Sequence, residues 1–117
     1  MMTTPSLQHS DLDSILSPWA ARHRLHLYTD CKGEEVRIVP IVDDAGDTYH
    51  IYARPDKNAQ VAIGADLITR AGRHAFFRER QRFHYLQLVP LSALASSLDA
   101  ALEQVQSWIV KSGHTRA

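Results

Sequence analysis

The chain has 117 residues, 44% hydrophobic and 22% charged, which suits one compact domain with a real core and leaves little for a second. Lys plus Arg number 13 and so do Asp plus Glu, a formal net charge of zero that argues against a dedicated nucleic-acid binder. No apolar run nears the roughly 18 residues of a membrane helix, MMTTPSLQHS lacks the basic and apolar regions of a signal peptide, and Cys31 is the one cysteine, so a soluble cytoplasmic protein without intrachain disulfide or cysteine-based zinc cluster is expected.

Residues 1 to 9 carry no pattern and are read as a frayed terminus, with a single domain over 10 to 113. Ser10 and Asp13 match a capping box in its looser Asp form, and Leu12, Ile15, Leu16, Trp19 and Ala20 share a helical face. Pro18 interrupts that pattern, so the helix is predicted to be kinked or in two pieces, with Ser17 capping the second and an end near Arg24.

Residues 25 to 29 alternate Leu25, Leu27 and Thr29 with His26, Tyr28 and Asp30, the period of a half-buried strand, and Gly33 then marks a turn. The β-branched run 36 to 42 and the alternating run 48 to 53 flank DDAGD and predict a hairpin. Pro40 conflicts with a central place for its strand, so either it sits at a bulge or residues 25 to 29 do not pair with it. Residues 54 to 58, RPDKN, are turn chemistry, and a strand resumes over 60 to 63 before Gly64. From 65 to 81 two readings compete: Asp66 caps a short helix through Arg70, or Ala75, Phe76 and Phe77 open another strand. Residues 83 to 89 alternate again and Pro90 ends them.

The last element is the most fully specified. Leu94, Leu98, Ala101, Leu102, Val105, Trp108 and Ile109 recur at spacings of three and four, with Ser97, Glu103, Gln104 and Ser107 opposite. Ser92 is placed to cap the first turn, and Lys111 and Gly113 punctuate the end. Burying that stripe contributes on the order of 10 kcal/mol before entropy is counted, so the helix requires a docking surface. The fold expected is α+β: one domain with an N-terminal kinked helix, an antiparallel sheet of four to five strands, and a long C-terminal amphipathic helix packed on the sheet.

This element order, with the VPLSAL step into a long amphipathic helix that ends near Trp108, resembles the type III secretion chaperones over about twenty residues. The resemblance implies a small dimeric protein that holds other proteins, and it is taken as an analogy of architecture, not as membership. It departs at ADLITRAGRHAFFRER, which stands where that family has a Leu/Ala-rich dimerisation helix after the third strand.

Charge is unevenly spread. Residues 1 to 66 hold six Lys/Arg against ten Asp/Glu, a balance of minus four, and residues 67 to 117 hold seven against three, a balance of plus four. Arg70, Arg73, Arg78, Arg80 and Arg82 make most of that excess, opposed locally by Glu79, and Phe76, Phe77 and Phe83 stand among them. Fixed charge beside aromatic surface suits an acidic protein partner or a phosphate backbone; a solvated face with local ion pairs is the competing reading. A second candidate is the strand face away from the core, where His26, Tyr28, His50 and Tyr52 are expected together unless the first helix covers them.

The seven histidines form no HExxH, Asp43, Asp44 and Asp47 lack the order of a calcium loop, and no nucleophile elbow or phosphate-binding glycine loop is present. Cys31, beside Asp30, has a neighbour that opposes its thiolate. No catalytic, cofactor or metal residues are therefore assigned. The reading favoured is a small non-enzymatic cytoplasmic module that binds an unidentified protein partner through Arg70, Arg73, Phe77, Arg78, Arg80 and Arg82. Nucleic-acid binding by the segment 70 to 82 and a small-ligand site on the His/Tyr face are the alternatives. Free sheet edges also allow a homodimer.

Overall fold

A computed structural model describes residues 7 to 29 and 36 to 113 of the chain. Helix α1 (His9–Arg22) is followed by β1 (Arg37–Val42), β2 (Thr48–Asp56), β3 (Gln60–Arg70), β4 (Arg73–His74), α2 (Phe77–Arg82), β5 (His84–Pro90) and α3 (Leu94–Gly113). The five strands form one antiparallel sheet in the order β1-β2-β3, with β5 and the short β4 both pairing with β3. The chain is therefore a single α+β domain in which the long C-terminal helix packs on the sheet.

Both long helices lie on the same face. Leu12, Leu16 and Trp19 of α1 and Leu94, Leu98, Ala101, Val105 and Trp108 of α3 share one buried cluster with Val39, Tyr49, Ile51, Val61, Ile63, Leu67 and Val89 of the strands. These strand residues are alternate positions, so the residues between them point to the other face. The two helices are tied to each other by the Trp19 indole, whose Nε1–H donates to Asp99 Oδ1 at 2.8 Å. Arg37 ties α1 to the sheet, donating to both carboxylate oxygens of Asp13 at 2.8 and 3.0 Å.

Several local expectations are corrected. The cap of α1 falls two residues before Ser10: Asp11 accepts a hydrogen bond from the Gln8 N–H at 2.9 Å. The helix continues through Pro18 as one element, without a restart at Ser17. Ser14, Ser17 and Pro18 are all exposed, so the Ser14 carbonyl that Pro18 deprives of a donor faces water. The helix closes with Arg24 at φ 57°, its N–H donating to Ala21 O and that of Leu25 to Ala20 O, a Schellman closure without glycine. The strand expected at 25 to 29 reduces to one bridge, Tyr28 with Ile38, and the turn at Gly33 lies outside the described residues.

Strand β2 runs on through Arg54, Pro55 and Asp56, and the turn comes at Lys57–Ala59, with Asn58 and Ala59 at positive φ. Neither reading of 65 to 81 survives whole. Strand β3 passes through Gly64 to Arg70, so Asp66 caps no helix, and the chain reverses at Ala71 and Gly72, both at positive φ as a two-residue hairpin requires. Ala71 is held there by Asp47, buried in the β1–β2 loop, whose Oδ1 accepts its N–H at 2.8 Å. Phe76 and Phe77 begin no strand; they lead into the six-residue α2. Ser92 forms no side-chain hydrogen bond among the described residues, and α3 is entered instead through a 3-10 turn at Leu91–Ala93. Ser97, expected opposite the stripe, is buried.

The Pro40 conflict is resolved by the direction of the backbone. Ile38 exchanges both hydrogen bonds with Tyr28, so Ile38, Pro40 and Val42 point their main-chain groups away from β2, while Arg37, Val39 and Ile41 point theirs towards it. The missing N–H therefore faces the outer edge, where the single bridge to residues 25 to 29 has already ended. Pro40→Ala is expected to change stability by less than about 1 kcal/mol, whereas Val39→Pro costs about 3 kcal/mol or more by removing a ladder bond and clashing with β2. Urea denaturation of the two variants checks the pair; similar losses would contradict the assigned direction.

Candidate interaction surface

The register places the face opposite the helices in rows. Tyr28, Ile38, Tyr52, Gly64 and Leu86 stand directly opposite one another across the sheet. The next row is Pro40, His50, Asp66 and His84, and on the other side Arg54, Ala62 and Leu88 align. Among the described residues neither long helix packs over these rows, since the buried side chains of α1 and α3 belong to the cluster beneath the sheet. Leu86 and Leu88 are 54% and 50% exposed and Tyr28 is 51% exposed.

Tyr52 lies across Gly64, so closely that a Cβ at residue 64 would overlap its ring. Glycine here admits the ring and lets the apolar row run unbroken from Ile38 to Leu86. Burial raises the pKa of the Tyr52 phenol, Asp66 adds to that rise, and Arg54 opposes it. Burial lowers that of His50, against a smaller opposite pull from Asp66, which favours the neutral imidazole. His84 Nδ1 and Asp66 Oδ1 are hydrogen-bonded on the far side of the row.

The His/Tyr set proposed from the sequence is thus brought onto one face, although His26 and His50 do not meet, because β1 lies between them. His26 stacks edge-on against Tyr28, with ring centroids 4.2 Å apart. A shallow depression of about 240 Å³ is lined by Val36, Ile38, His50, Tyr52, Arg54 and Ile68. That volume falls below the roughly 300 to 1,000 Å³ of drug-sized ligand sites. No group of three metal-ligating side chains is found among the described residues.

The arginine segment divides in two. Arg73 donates to both oxygens of Glu79 at 2.9 and 3.1 Å and covers the Phe76 ring at 4.0 Å. Arg70 lies 3.4 Å from Glu79 and 3.9 Å from Asp47. These two arginines hold the β3–β4 turn and α2 in place. Arg78, Arg80 and Arg82 are exposed and form no ion pair among the described residues, and Phe77 is 73% exposed. Phe77, Arg80 and Gln81 line a second depression, of about 480 Å³, together with Asp66 and His84. Helix α2 therefore forms a cationic and aromatic rim at one end of the open face. The alternation of residues 83 to 89 put Leu86 and Leu88 on the side of His84, yet only the pairing of β5 with β3 brings them beside Tyr52 and Asp66. No family model, curated protein or solved structure matches the chain.

Two outcomes are expected from this geometry. Gly64→Ala costs about 1 to 3 kcal/mol, and in a Tyr52→Ala background the cost disappears because the ring no longer occupies the space; an equal cost in both backgrounds, measured in urea, would rule the contact out. The Arg73 guanidinium, helped by the Phe76 N–H, holds the Glu79 carboxyl at about 2, below the ordinary 4.5. Since the folded value is the lower one, the stabilisation is fully present above pH 4.5 and is lost as pH falls towards 2. Carboxyl NMR of Glu79 should follow that titration, and Arg73→Lys should move it upward.

Proposed function

We propose that the chain is a small non-enzymatic cytoplasmic module that binds another protein, and that its docking surface is the open sheet face together with the α2 rim. The observation that carries this reading is the row Tyr28, Ile38, Tyr52, Leu86, which runs the width of the sheet with neither long helix above it. Exposed apolar surface rimmed by polar and charged side chains is what protein interfaces are built from. Arginine and aromatic residues, here Arg78, Arg80, Arg82 and Phe77, are the types favoured in such contacts.

Nucleic-acid binding is less well served by the same surface. Leu86 and Leu88 make its β5 side aliphatic, Asp66 lies within it, and Arg70 and Arg73 are engaged with Glu79 rather than presented. Stacking platforms need aromatic rings in succession beside unopposed cations.

The test uses the folded chain as bait in lysate of its own host, with and without nuclease. Ile38→Glu and Leu88→Glu on the open face should each cut the capture of a nuclease-resistant, stoichiometric protein by about tenfold or more, while Gln106→Glu on the outer side of α3 leaves it intact. Arg78, Arg80 and Arg82 changed together to Glu should keep the fold and abolish capture. Capture indifferent to all of these changes, or lost on nuclease treatment, would end the proposal.

A further inference from the structure

We infer, resting on that protein-binding reading, that the partner enters as an extended segment which adds an antiparallel strand to the outer edge of β5. The segment is aliphatic where it meets Leu86 and Leu88 and acidic where it passes α2.

The direction of the backbone supplies the first argument. The Phe83 carbonyl accepts from Leu67 N–H at 3.2 Å, in the same register as the rest of the β3–β5 ladder. Main-chain groups alternate along a strand, so Phe83, Tyr85, Gln87 and Val89 turn theirs to β3. His84, Leu86 and Leu88 turn theirs outward. No strand pairs with β5 on that side among the described residues, and the three N–H groups make no other backbone hydrogen bond there. Three outward residues offer a partner strand about six main-chain hydrogen bonds.

The two edges of the sheet are not alike. The β1 edge carries the Tyr28 bridge and then Pro40, which has no donor. The β5 edge has no bulge in its pairing with β3, no lysine, and no proline before Pro90 at its end. These are the devices by which exposed edges are normally blunted, so β5 is the edge left open to pairing.

Side chains and charge then select the occupant. Residues paired with Leu88 and Leu86 share their face and extend the rows of Ala62 and Tyr52, which calls for aliphatic groups. An antiparallel strand then passes His84 and runs on towards Arg82 and α2. There Arg78, Arg80 and Arg82 are exposed without ion pairs among the described residues, beside the depression shared by Phe77, Arg80 and His84. Carboxylates at the C-terminal end of the segment complement them. A second copy would bring β5 to β5, a strand without Asp or Glu, and would leave these arginines unanswered.

The probe is an acetylated, amidated peptide of alternating leucine and threonine that ends in three aspartates, titrated into the isotope-labelled full chain and followed by NMR. Binding should shift the amides of His84, Leu86 and Leu88 and slow their hydrogen exchange. The same peptide ending in three lysines should bind at least about fivefold more weakly at low salt. Methylating the leucine amides should abolish binding, and methylating the threonine amides should not. In the protein, Leu88→Pro removes an outward donor without touching the ladder to β3, and should weaken binding while the far-UV spectrum is unchanged. Equal affinity for the two peptides, unchanged exchange at the three amides, or a free chain that sediments as a dimer with those amides already protected would each overturn the inference. Lysate capture that stays sensitive to Ile38→Glu but not to Leu88→Pro would leave the protein-binding reading standing and strand addition rejected.

Discussion

The apolar stripe of α3 can be buried once, and the side of the sheet on which it is buried decides what the other side is for. Leu94, Leu98, Val105 and Trp108 sit against Ile51, Ile63, Leu67 and Val89, and α1 joins that layer with Leu12, Leu16 and Trp19. Two helices on one face satisfy both stripes at once, because the Trp19 indole finds its acceptor in Asp99 of the neighbouring helix. The described chain then has no long helix left for the opposite face. Its exposure follows from how the core was closed, and the side chains there must tolerate water or await a cover.

The legible parts of the fold were those in which local pattern and tertiary burial agree. The stripe of α3 is one: of the positions read from spacing, all but Ile109 are buried. The end of α1 near Arg24 agrees with the expectation, although the chain closes there in the left-handed region without the glycine that usually marks such a cap. Where the pattern misled, a specific competing effect can be named. From the sequence, β3 is expected to stop at Gly64, since glycine is a strong local punctuator; here it makes room for the Tyr52 ring, a cross-strand reason invisible without the pairing. Ala62 and Gly64 are buried like their neighbours, so the alternation that would have revealed the strand is absent. Pro40 was a real conflict that only the direction of hydrogen bonding could resolve.

The candidate surface was legible in halves. Alternation alone assigned His26, Tyr28, His50 and Tyr52 to one side of their strands, since it needs no knowledge of neighbours. The row of His50, Asp66 and His84 was not readable, because it depends on β5 returning past β4 and α2 to lie beside β3. The arginines were visible as a cluster, but composition cannot tell a structural cation from a presented one. Arg70 and Arg73 are spent on Glu79, and this separates them from Arg78, Arg80 and Arg82.

That division has a physical cause in the length of α2. Six residues are too few for a helix to persist on its own hydrogen bonds, because nucleation costs more than so short a run returns. Glu79 compensates from the first turn, accepting from the Phe76 N–H at 2.8 Å and from Arg73 through both oxygens, with Arg70 alongside. One carboxylate thus gathers the arginines that precede the helix and fixes the start of α2 against the β3–β4 turn. The arginines within the helix stay exposed, Arg82 with its guanidinium 5.8 Å over the Phe83 ring. The sequence order of one acid among five arginines is therefore an arrangement in which two cations build the rim and three stay exposed without ion pairs among the described residues.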